Sequence, residues 1–375
     1  MKTALTFAAG FLASTTMVAA QDTPVLTVYA GDYIVSEWGP GPKIEEMFEA
    51  QCACELEFKP GERVRLRVIN GSAMTFFNVR IPGVPMTVIQ ADGQYVDEVE
   101  VDEFQIGVAE TYDVVVAPPD GSHAIVAEAM DRSGMGVASL TSHKGHRATP
   151  PPLRKIPTLT MADMGMNHGE MDHGSGDKMD GMNHEPKTKE TMDHGKMDHG
   201  KKKPAASAEI DGMAGMSMAG MSMDGMNMRD TSLLPPDVAI GPGVDMVSMA
   251  PVDKMGDPGL GLRDVDHRVL NYRMLVARDA NTDTREPSRL LELHLTGNME
   301  RYMWSFDGRM YSAVSDVPIG FAWNERVRVK LINNTMMAHP IHLHGMFFEM
   351  VNGQSPALQP RKNTMIVQPG ASAQF

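Results

Sequence analysis

The sequence predicts a mainly β protein: two related β-barrel domains joined by a long disordered linker. Three observations carry this. Stretches 59–142 and 267–375 alternate charged and apolar residues, as in RVRLRVIN and ETYDVVV, with turn signals PGV, ADG and PPDG between the runs. The two stretches are copies, because Gly61–Met74 (GERVRLRVINGSAM) aligns without a gap on Asn324–Met337 (NERVRVKLINNTMM). Between them, over 143–266, the composition shifts to Gly, Met, Asp, His and Lys, and apolar periodicity vanishes. Such a segment buries too little surface to offset its chain entropy.

Taken in order, residues 1–20 read as a secretory signal. Lys2 precedes an apolar run from Ala4 to Ala13, and Val18-Ala19-Ala20 offers small residues for cleavage before Gln21. The run is too short for a good membrane span, and no later stretch reaches that length. The chain is therefore expected outside the cytoplasm, in a bacterial periplasm, with no transmembrane segment. Residues 21–58 read as a partial α/β stub. It holds both cysteines, Cys52 and Cys54, too few for a disulfide framework. They could hold a soft metal, close a local disulfide or stay as buried thiols; the last two are the simpler readings. Domain 59–142 is near-complete. It continues past Tyr112 for two or three more strands, whereas its copy, 267–375, reaches Phe375 near the point that matches Tyr112. The second domain is thus expected to be truncated, with an open sheet edge. The net charge of −14, without a basic patch, argues against nucleic acid as a partner.

The segment HPIHLHG, His339 to Gly345, carries the chemistry. On a strand, residues two apart share a face, so His342 and His344 point the same way and Leu343 points into the opposite layer. His339 lies an odd number of residues away, before a proline, and is expected to point elsewhere. Imidazole suits copper, zinc, iron and nickel alike. The repeat supplies an internal comparison: at the same offset, the first copy has Phe76, Val79 and Ile81 in place of the three histidines. The scaffold does not require histidine there.

The linker offers a second donor set. Fifteen of the 34 methionines lie between Met161 and Met228. Met166 with His168, Met171 with His173, Met182 with His184, Met192 with His194 and Met197 with His199 form one series. Met216, Met218, Met221 and Met223 follow. Thioether sulfur is soft and prefers Cu(I), and imidazole accepts Cu(I) or Cu(II). The competing reading is an inert low-complexity spacer. His294, alone in LELHLTGN, reads as structural, and His123, His143, His146 and His267 lack ligand spacing. No Ser-His-Asp pattern, phosphate loop or zinc-protease motif occurs, so no catalytic residues are expected beyond copper ligands.

From about Lys59 onward the chain resembles the CopA-type copper-resistance multicopper oxidases. The likeness lies in RVRLRVINGSAMTFFNVRIPG, ADGQYV, VDEF, AETYDV, the Met-His-Gly linker, LELHLTGNMERYMWSFDG and NNTMMAHPIHLHGMFFEM. The resemblance implies cupredoxin-like Greek-key β-barrels and copper as cofactor. His339 would serve a type 1 copper, His342 a type 2 and His344 a type 3. It also implies oxidation of Cu(I) or a phenol, a small reductant, coupled to O₂ reduction. The family's first domain and its C-terminal His-Cys-His motif are not found in the sequence. The expectation is a fragment with impaired catalysis. The alternative is a non-catalytic protein that sequesters copper through the Met/His linker. Residues PVLTVYAGDYIVSEWGPGPKIEEMFEAQCACELEF resemble the start of a periplasmic thiamine-binding protein, which suggests a joined gene near Phe58–Lys59. Thiamine binding is the third functional class, with most of such a pocket missing.

Overall fold

The computed structural model describes residues 55–158 and 229–375, apart from 284, 299, 301–302 and 311–317, and the backbone of two earlier strands, Ser14–Thr16 and Val25–Ala30. These residues fall in one compact unit, residues 1–167 with 228–375. The second unit, 168–227, lies outside the described residues, as do Cys52, Cys54 and every linker Met and His named above as a copper donor. No α-helix occurs among the described residues; three short 3-10 turns interrupt the strands. The mainly β expectation holds.

Strand Val64–Asn70 shows why. Its burial alternates strictly, with Val64, Leu66 and Val68 inward. Arg65 and Arg67 point the other way and clamp Asp113 on the neighbouring strand Thr111–Val116. Period-2 hydrophobicity thus becomes a core face and an ion-paired face. One sheet runs Val25–Ala30, Val64–Asn70, Thr111–Val116, Met86–Ala91, Gln94–Val101, with Ser14–Thr16 outside Val25–Ala30. The other runs Glu55–Glu57, Met135–Thr141, Ser122–Ala129, Phe77–Arg80, Glu103–Ile106. Successive strands cross repeatedly between the sheets, as Greek-key barrels and sandwiches require.

The second copy repeats the scheme. Val327–Asn333 lies at the offset of Val64–Asn70, and Arg289–Asn298 pairs parallel to it, as Val25–Ala30 pairs parallel to Val64–Asn70. A strand from the 21–58 stub therefore fills, in the first copy, the place that Arg289–Asn298 fills in the second. Asn70 and Asn333 end their strands alike: each side-chain amide bonds two or more carbonyls of the following loop and the facing strand.

Two expectations need correction. Both ends of 143–266, expected to belong to a disordered linker, are packed among the described residues. Arg154 reaches back to Glu103 and Glu128, both fully buried. Leu234, Val238 and Val247 form a small apolar cluster, and Met255 joins the main core. These scattered apolar residues lack periodicity, so composition alone hides them. The sheet edge expected to be open beside Phe375 is also partly covered: Val252–Asp253 pairs with Ala371–Ser372.

Candidate metal centre

His339–His342 forms a strand despite Pro340, paired antiparallel with Thr364–Val367. Ile341 and Leu343 pack against the core, while His342 and His344 are exposed on the opposite face. Their rings lie 4.9 Å apart, edge to face. His339 sits elsewhere, half-buried, with its ring 5.2 Å from that of Trp304.

Strand register corrects the internal comparison. In the first copy Phe77 faces Ile106 and Val79 faces Phe104; in the second His339 faces Val367 and Ile341 faces Met365. Phe104 and Met365 are both fully buried, so core-facing Val79 corresponds to Ile341 and not to His342. The loop after Asn333 is one residue shorter than the loop after Asn70. The same slip shows in the side-chain bonds, since Asn70 reaches the Thr75 carbonyl and Asn333 the Met337 carbonyl. The positions matching His339, His342 and His344 are therefore Phe77, Arg80 and Pro82. A one-residue slip exchanges the two faces of a strand, which is how the histidines come to face outward. The sister copy still has no histidine at these places.

Each of two histidines is held by a threonine. His339 Nε2 lies 2.6 Å from Thr335 Oγ1, and His342 Nδ1 lies 2.7 Å from Thr364 Oγ1. Thr335 Oγ1 donates to Asn333 Oδ1 at 2.9 Å. With its one proton on an oxygen acceptor, the arrangement that satisfies most of its contacts, it accepts the Nε2–H of His339, which leaves Nδ1 as that ring's lone pair. Burial pushes the His339 imidazole down to about 4, so it is neutral at pH 7. A neutral ring with one nitrogen held and one lone pair offered is what a copper ligand must be. The three histidines fit copper in donor type, and His339 also in protonation. Among the described residues, however, no group of three or more His, Cys, Asp or Glu is placed to hold a metal.

The threonines escaped sequence reasoning, as did a buried cluster behind them. Lys362 is completely buried, with Nζ 3.0 Å from Asp92 and 3.2 Å from Glu110. Tyr272 donates to Glu110 at 2.6 Å and accepts the Ile366 amide. Burial alone would lower the Lys362 ammonium, but Asp92, Tyr112 and Glu110 outweigh it and hold it above its usual range. Asp92 was legible only as part of an Asp-Gly turn. It and Gly93 take the positive φ values, 48° and 75°, of a tight hairpin. Beside Ala338 a cavity of about 350 Å³ is lined by Met74, Met130, Met336 and Met337. His294, read as structural, is buried between Glu292 and Asn334.

Multicopper oxidase family models match residues 23–145 and 284–375. The chain is 44% identical to copper resistance protein A of Escherichia coli, over 85% of this chain and 51% of that protein. It is 50% identical to copper resistance protein A of Pseudomonas syringae pv. tomato, over 85% and 52%. The chain thus spans about half the length of the curated relatives it matches. A 40-residue N-terminal stretch is 58% identical to a thiamine-binding periplasmic protein of Brucella suis biovar 1, covering 11% of this chain and 12% of that protein. Among solved structures, a laccase-like multi-copper oxidase from Ochrobactrum sp. covers 94% of the chain and 59% of its own, with 12% identity and a TM-score of 0.45.

Proposed function

Since this chain belongs to the multicopper oxidase family, with matches over residues 23–145 and 284–375, we propose that it is a periplasmic copper-resistance protein whose copper ligands include His339, His342 and His344. The observation that carries this reading is the pair His342 and His344, side by side on an exposed face, with His339 held neutral nearby in sequence. When bound, copper supplies one-electron transfer from a reductant, Cu(I) or a phenol, towards O₂. The chain's own part is to orient the rings. Thr335 and Thr364 each hold one ring nitrogen, and Ile341 and Leu343 anchor the strand in the core. The cavity lined by four methionines gives a soft or aromatic reductant a thioether-rich approach next to the His339 loop.

A second reading is sequestration through the Met/His linker without catalysis. It is favoured by the lack of three convergent ligands among the described residues. One experiment separates the two. Protein recovered from periplasmic extract, expected to begin at Gln21, is titrated with copper beside a form lacking 161–228 and a His342→Ala, His344→Ala form. Under the oxidase-type reading the double substitution removes a distinct Cu(II) spectral species that the deletion retains. Loss of nearly all copper with the deletion alone supports sequestration and sinks the first reading.

A further inference from the structure

The first copy carries no histidine at the ligand positions, yet it reaches the second copy's site, chiefly through the carboxylate of Asp92. Asp92 Oδ2 accepts the backbone N–H of Asn363 and of Thr364, both at 3.1 Å. Asp92 Oδ1 accepts the Thr111 amide at 2.9 Å, and Lys362 Nζ lies 3.0 Å away. Asp92 is thus buried and tied from three sides. The amides of Asn363 and Thr364, where the strand facing His339–His342 begins, are bound by this carboxylate, so the placement of Thr364 depends on the sister copy.

The Thr364 hydroxyl has three polar neighbours. His342 Nδ1 is at 2.7 Å, Asn363 Oδ1 at 3.0 Å and the Ala109 carbonyl at 3.4 Å. The two oxygens can only accept, whereas a ring nitrogen can donate or accept, so the arrangement that satisfies most of these contacts sends the single hydroxyl proton to an oxygen. His342 Nδ1 donates to the hydroxyl in that arrangement. We propose that Thr364 is a positioning residue that fixes His342 in its Nδ1–H tautomer, with Nε2 offered to copper, and that Asp92 of the sister copy holds Thr364 in place. The same device at His339, with Thr335 on the other ring nitrogen, leaves Nδ1 free there. Two threonines thus present opposite nitrogens of two histidines. A threonine that merely capped the strand would not need its proton directed away from the ring. The inference rests on the reading that His342 binds copper, but the tautomer itself can be tested without metal.

The test is ¹⁵N NMR of the metal-free full chain labelled at histidine, with His342 assigned by its loss in His342→Gln. The expected result is a protonated Nδ1 and a lone-pair Nε2 in the unsubstituted protein. A protonated Nε2 there overturns the proposal, and this arm does not depend on any variant folding. Thr364→Val is expected to shift the His342 population towards Nε2–H and to weaken copper at His342 about 10- to 100-fold. Copper at that residue is read as paramagnetic broadening of its own signal, apart from linker binding. Thr364→Ser should restore both. An unchanged tautomer in Thr364→Val overturns the proposal. If copper never broadens His342 in the unsubstituted protein while the tautomer is as expected, the copper reading of His342 falls and the tautomer assignment stands.

Discussion

At the scale of single residues, the site depends on side chains whose charge state burial has settled. His339 is the clearest. Its folded value of about 4 lies below the ordinary 6.5, because burial disfavours the imidazolium. Between these values the unfolded chain binds a proton that the folded chain refuses. Stability is therefore fully present above about pH 6.5 and is lost as pH falls towards 4. The loss at the acid end should reach about 3 kcal/mol in metal-free protein. Urea denaturation at pH 7 and pH 4.5 checks this. His339→Phe should abolish that part of the pH dependence, and an unchanged slope in the variant would count against it. None of this was visible in HPIHLHG itself. The motif marked the residue, but the Trp304 ring and the Thr335 hydroxyl come from elsewhere in the chain or from a loop of unguessable shape.

At the scale of elements, strand alternation divides HPIHLHG into two jobs. Leu343 faces the core and His344 faces outward. Leu343→Ala should cost about 1–3 kcal/mol, less than for a fully buried leucine. His344→Ala should stay within about 0.5 kcal/mol and lower copper binding instead. Equal destabilisation by the two in chemical denaturation would mean the register is wrong. The alternation was readable in sequence because its period is a local property of extended backbone. The match between copies was not fully readable. The alignment is ungapped through Met337, but the loop is one residue shorter than its sister, and only hydrogen-bonded register shows where the slip falls. Likewise the parallel strand Val25–Ala30 could not be assigned to the first copy from its own residues, since its partner lies more than thirty residues on.

At the scale of the whole molecule, the two copies share a buried ionic cluster. Lys362 and Tyr272 come from the second, Asp92, Glu110 and Tyr112 from the first. Lys362→Met should destabilise by about 3–5 kcal/mol, because it leaves Asp92 and Glu110 buried without their cation. The loss should be nearly insensitive to salt, since screening acts poorly on buried charge. A small or strongly salt-dependent effect in denaturation would show that the cluster is hydrated. The cluster also explains why the ligand-free copy matters: through Asp92 it holds the strand that orients His342.

By itself the sequence determined the β class and the repeat and singled out three histidines as candidates, because these are written in local period, turn residues and motif spacing. It also carried the family resemblance. It did not determine which linker-flanking residues pack, which sister position each histidine matches, or what holds each ring. Those were decided by tertiary structure, since they depend on pairing between strands far apart in the chain. A lysine in RKNT and an aspartate in ADG look like surface and turn residues until the fold buries them against each other behind the HPIHLHG strand.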